Sequence, residues 1–166
     1  MARYLLVQRA DDTIPAMQKL RYSVRINAPV HTVWTTMLDG ATYRDWTRAF
    51  SEGSYYEGSW DQGSEIRFVG PGEDGSLSGM IGRVVENRPD EFVCVEYFGQ
   101  IVDGVDDTTS EAARQWAGAR EAYSFSESDG VTTVEVELDS EESFAAFFDE
   151  AWPKALERLR DLVAVR

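Results

Sequence analysis

Glu121 is the side chain in this sequence best placed to do chemistry. In the stretch AREAYSFSE (119–127) it shares strand parity with Tyr123 and Phe125, so a sheet that turns those rings inward turns the carboxylate inward too. Burial disfavours the charged form of a carboxyl group, raises its pKa and makes it a general base or a ligand anchor. The alternatives are a strand that starts later, or a carboxylate solvated at a rim. Tyr97 and Tyr123 add hydroxyls that could orient a bound molecule. Coupled to a tyrosine, or to Arg67 or Arg120, Glu121 would form an acid–base pair able to move protons.

The other reactive residues point to little. His31, the only histidine, falls one position after Val30 and off the apolar stripe Val30, Val33, Trp34 and Met37. It reads as a surface or capping residue. Cys94, the only cysteine, can form no internal disulfide and is far in sequence from the histidine a catalytic thiol would use. No pattern for zinc, a P-loop, a GxSxG elbow or HExxH occurs, and Gly70-Pro71-Gly72 lacks the strand-to-helix setting of a dinucleotide site. No metal, cofactor or catalytic residue is therefore expected.

The elements that must position Glu121 are mostly short strands. Tyr22, Val24 and Ile26 alternate with Arg21, Ser23 and Arg25, and Ile66 and Phe68 alternate with Glu65 and Arg67. Residues 79–86 and 91–98 flank Pro89 as a hairpin would, and 119–127 and 131–138 flank Asp129-Gly130, a strong hairpin signal. For 91–98, Val93, Val95 and Tyr97 are expected inward, because the other parity buries Glu96. Gly70 to Gly75 is a turn, and 99–114 reads as a long acidic loop.

Two short helices are expected after the first strand. Asn27 can cap the first, Pro29 supplies a helical φ, and Asp39-Gly40 ends it before the turn at Tyr43 to Trp46. A long helix from about Ser140 to Val163 carries Phe144, Phe148, Trp152, Leu156, Leu159 and Val163 on one stripe, with Pro153 expected to kink it.

The chain has 166 residues, enough for one domain with a real core. Its charge is uneven: residues 1–89 hold 10 basic and 11 acidic side chains, and residues 90–150 hold 2 and 17. Such acidity argues against nucleic acid and anionic membranes, and it leaves open a basic protein partner at an acidic face. No apolar run approaches the roughly 18 residues of a membrane span, and the N-terminus does not read as a signal peptide, so a cytoplasmic location is expected.

Taken in order, INAPVHTVWTTMLDGATYRDW, GMIGRVVENRPDEFVCVEYF, AREAYSFSESDGVTTVEVEL and FDEAWPKALERLRDLV resemble the SRPBCC or START-like helix-grip superfamily. Within it they are most similar to the Aha type, named after the C-terminal domain of the activator of the heat-shock-chaperone ATPase. The resemblance covers about residues 20–165 of a single domain spanning 1–166, and leaves 1–18 as an N-terminal extension that could supply an edge strand. It implies an α+β fold: a curved antiparallel sheet of about six or seven strands wrapped around the C-terminal helix. It also implies a cavity between them, lined by Trp46, Phe68, Met80, Tyr97, Glu121, Tyr123, Phe125, Phe144, Phe148 and Trp152. The same side chains could instead pack a solid core.

The expected function is binding of an apolar or aromatic small molecule of unknown identity, with no chemistry assigned to it. The alternatives are a cyclase, aromatase or hydrolase of the superfamily, or an interaction protein like the chaperone-ATPase activators. A homodimer fits the family's habit.

Overall fold

The computed structural model describes residues 17–166. The elements run β1 (Met17–Ile26), α1 (Val30–Leu38), α2 (Gly40–Trp46), β2 (Tyr55–Gly58), β3 (Glu65–Pro71), β4 (Leu77–Arg88), β5 (Phe92–Val102), β6 (Val105–Asp107), α3 (Glu111–Trp116), β7 (Arg120–Ser128), β8 (Val131–Glu141) and α4 (Glu142–Ala164). All strand pairings are antiparallel, in the order β1-β8-β7-β5-β4-β3-β2, with β6 added beside β5. Seven strands lie on the main path, and β6 makes an eighth. Met17 and Gln18 open β1 and so belong to the sheet rather than to an extension. The edge strand expected further upstream lies outside the described residues.

Local chemistry explains most of these elements. In β8, Val134, Val136 and Leu138 are buried while Glu135 is exposed, as strict alternation requires. Asp129 and Gly130 both have positive φ (54° and 79°) and close a two-residue hairpin between Ser128 and Val131. The same dipeptide at Asp103-Gly104 (φ 50° and 76°) joins Val102 to Val105. That hairpin corrects the expected 99–114 loop: its first residues extend β5, β6 folds back on them, and Ser110 caps α3 by accepting from Ala113 N.

The helices differ from expectation in detail. Asn27 caps nothing, because Pro29 itself occupies the cap position of α1 with extended ψ and without a side-chain cap bond. Asp39 caps α2 instead, accepting from Ala41 N. In α4 the buried stripe is Phe148, Ala151, Trp152, Ala155, Leu156, Leu159 and Val163. Pro153 is exposed beside that stripe, within a helix that runs unbroken from Glu142 to Ala164.

One apolar core fills the space between the inner face of the sheet and the layer formed by α1, α2 and α4. Each large side chain buried there, such as Trp152 or Leu159, contributes roughly 1.5–3 kcal/mol by leaving water. A second, small cluster of Val69, Ile81 and Ile101 occupies the opposite face. On that face much of the negative charge is paired, Glu137 with Lys19 and Arg21, and Glu96 with Arg120. Among the described residues no helix is long and apolar enough to cross a membrane.

Candidate functional site

Register brings the site together. Glu121 on β7 pairs with Val95 on β5, and Tyr123 pairs with Val93, so on the inner face Tyr97 and Tyr123 fall on opposite sides of Glu121. Both hydroxyls donate to the same carboxyl oxygen: Tyr97 Oη to Glu121 Oε2 at 3.1 Å, and Tyr123 Oη to Oε2 at 3.1 Å. Oε1 is buried without a hydrogen-bond partner among the described residues. Glu121 is only 3% exposed.

Burial dominates the electrostatics. Desolvation pushes the Glu121 carboxyl up to about 7, while the two phenolic hydrogen bonds, Tyr123's the larger, pull it down. Tyr43, Tyr97 and Tyr123 are themselves held well above the usual tyrosine range, first by burial and then by the charge of Glu121. The group that titrates near neutrality here is thus the carboxyl, flanked by phenols that keep their protons.

Around this triad lies a cage of rings. Tyr123 meets the Trp152 ring edge-on at 6.0 Å between centroids, and Trp60 approaches it at 6.1 Å. Phe68 packs edge-on to Tyr97 at 6.2 Å and also touches Tyr43 and Trp60. Trp46 and Phe50 cover the far side of Trp152. Trp46 Nε1 donates to Met37 O, but the indole N–H groups of Trp60 and Trp152 are buried without a partner among the described residues. The aromatic interior thus contains three polar atoms without a partner among the described residues, where buried polar groups are ordinarily hydrogen-bonded.

Of the residues singled out from sequence, Trp46, Phe68, Tyr97, Glu121, Tyr123 and Trp152 meet in this one assembly. Met80, Phe125 and Phe148 are buried in the same core, Phe125 edge-on to Trp34 and Phe148 beside Phe147. Phe144 is only half-buried and packs on Trp116 of α3. Arg67 and Arg120 are not partners of Glu121: Arg67 pairs with Asp106 and Arg120 with Glu96, both on the outer face. His31 is exposed and bonds Asp90. Tyr43 and Trp60 were missed. Tyr43 belongs to a short turn with no visible inward face, and Trp60 to the loop before β3. Among the described residues no group of histidine, cysteine or acidic side chains could hold a metal. A depression of about 320 Å³ over β1, β7 and β8 is lined by Arg21, Tyr22, Ser23, Ser124, Glu135, Val136 and Glu137.

A long C-terminal helix gripped by a curved antiparallel sheet, over an aromatic interior, defines the helix-grip class of α+β proteins. The sequence pattern of the polyketide cyclase / dehydrase and lipid transport family matches residues 17–164, and the chain belongs to that family. Solved structures share the fold. A protein from Nitrosomonas europaea is similar at TM-score 0.65 and 13% identity, over 93% of this chain and 97% of that one. The Aha1 dimer from Colwellia psychrerythraea is similar at TM-score 0.61 and 16% identity, over 89% and 96%. CalU16 from Micromonospora echinospora is similar at TM-score 0.59 and 17% identity, over 89% and 76%. No curated protein sequence matches the chain.

Proposed function

We propose that this protein binds an apolar, aromatic small molecule between the sheet and α4, with Glu121 as the polar anchor. The observation that carries this is the unpartnered Glu121 Oε1, buried inside a cage of Tyr43, Phe68, Trp60, Tyr97, Tyr123 and Trp152. Leaving a buried oxygen unpaired costs about 1–3 kcal/mol, which a ligand hydrogen bond would recover. The family's description, with its cyclases and lipid carriers, fits an apolar ligand of this kind.

A second proposal, a cyclase-like enzyme, is favoured by one observation. A carboxyl that titrates at about 7 between two phenols is matched to proton transfer at neutral pH. Binding and catalysis would use the same carboxyl group.

The test is native mass spectrometry of the purified protein, followed by thermal-shift titration with naphthalene derivatives. A co-purifying mass, or stabilisation that grows with probe concentration and shrinks in Glu121→Gln, supports binding at this site. No adduct and no shift would sink it and leave a solid core. Turnover of a bound probe, lost in Glu121→Gln while binding persists, would favour the enzyme.

A further inference from the structure

We propose that Glu121 makes the interior site reverse its hydrogen-bond preference with its protonation state, taking ligands that offer an N–H or O–H when the carboxyl is ionised and ligands that offer a carbonyl when it is protonated. This rests on the binding site proposed above. The two carboxyl oxygens are not equivalent. Oε2 already receives two phenolic hydrogens, from Tyr97 and Tyr123, which occupy its acceptor directions. A proton added to the group therefore goes to Oε1, the oxygen with no partner. Ionised, Oε1 is a bare acceptor. Protonated, it is a donor with nothing among the described residues to donate to.

Among the described residues the reversal is left to this one group. Tyr97 faces it from β5, Tyr123 from β7 and Tyr43 from α2, and all three stay protonated because burial and the carboxyl charge raise them. The strand neighbours in register, Val95 and Leu138, carry no charge. Cys94 lies on the other face of β5 and is also raised by burial. From α4 the nearby polar atom is Trp152 Nε1, a donor at every pH, which adds no pH dependence of its own. The carboxyl titrates at about 7, so both states are populated near neutrality.

Two bicyclic probes of similar size isolate the effect: indole, which offers only a donor, and 1-indanone, which offers only an acceptor. Neither titrates between pH 5.5 and 8.5. Calorimetric titration of the whole protein at those two pH values is expected to show 1-indanone weakening about 30-fold on going to pH 8.5, and indole tightening by a similar factor, because each binds one protonation state. In Glu121→Gln, whose amide presents both a donor and an acceptor at every pH, both dissociation constants should stay constant. Binding of both probes with parallel pH dependence, or a crossover that survives in Glu121→Gln, overturns the inference while leaving the site in place. If neither probe binds at pH 5.5 or at pH 8.5, the site itself is removed, and the inference with it.

Discussion

Tyr97 and Glu121, on neighbouring strands, meet through a 3.1 Å hydrogen bond to the oxygen that Tyr123 also engages. The arrangement follows from antiparallel register: one tyrosine is two residues beyond Glu121 on β7, and the other is two residues beyond Val95, its partner on β5. Two donors on one oxygen fix the plane of the carboxyl group and leave the other oxygen aimed elsewhere. The pair thus turns a costly buried acid into an oriented one.

Stability should fall as pH rises from about 4.5 to about 7. The folded carboxyl titrates near 7 and the unfolded one near its ordinary 4.5, so between those values the folded protein holds the extra proton. The loss from this group is on the order of 3 kcal/mol and is complete above the folded value. Urea denaturation at pH 5 and pH 8 should show it, and Glu121→Gln should flatten the difference. An equal slope in that variant would place the dependence elsewhere.

Tyr97→Phe and Tyr123→Phe should each raise the Glu121 pKa further, since each removes a donor that favours the charged form. Carbon-detected NMR titration of the side-chain carboxyl reads this directly. Each change should also cost about 0.5–1.5 kcal/mol at neutral pH. A pKa unmoved in both variants would mean the phenols do not hold the carboxylate.

Trp152→Ala should destabilise by roughly 3–5 kcal/mol, because the ring is fully buried among Tyr22, Trp46, Phe50 and Tyr123. Trp152→Phe should lose much less, since the deleted N–H has no partner within the described protein. Denaturant midpoints compare the two. A small loss in the alanine variant would show that this ring borders open space.

Gly79→Ala should disrupt the β3–β4 pairing, because a Cβ there would collide with the backbone oxygen of Phe68. The consequence reaches the site through Phe68, which packs against both Tyr97 and Trp60. Circular dichroism and denaturation should report lower stability by more than 1 kcal/mol, in line with overpacking. Wild-type stability in the variant would mean the strands can separate locally at no cost.

How much of this was legible in the sequence depends on whether a residue's place is set locally. Glu121 was found because β7 alternates cleanly, so one inward tyrosine fixes the parity of its neighbours two residues away. The inward set Val93, Val95 and Tyr97 followed from the cost of burying Glu96. By contrast, the Glu121–Tyr97 bond depends on the offset between β5 and β7, which no single strand encodes. Arg67 and Arg120 fail as partners for a reason alternation alone supplies: Arg120 is next to Glu121 on β7 and Arg67 lies between the inward Ile66 and Phe68 on β3, so both take the outer face. Asp103-Gly104 carried the same turn chemistry as Asp129-Gly130, but it was masked by the polar residues around it. Trp60 comes from an irregular loop, where periodicity says nothing.

The ring contacts of Trp152 have an optical consequence. All five tryptophans are buried, and the indoles of Trp46 and Trp152 lie 5.9 Å apart with their planes inclined by 36°. Chromophores so close and so fixed couple their transitions, so the folded protein should show an exciton signature in its ultraviolet circular dichroism. Trp152 also touches Tyr123, whose hydroxyl binds Glu121. A proton or a guest arriving at that carboxyl would therefore alter the chiroptical spectrum, giving the interior an intrinsic reporter that needs no added dye.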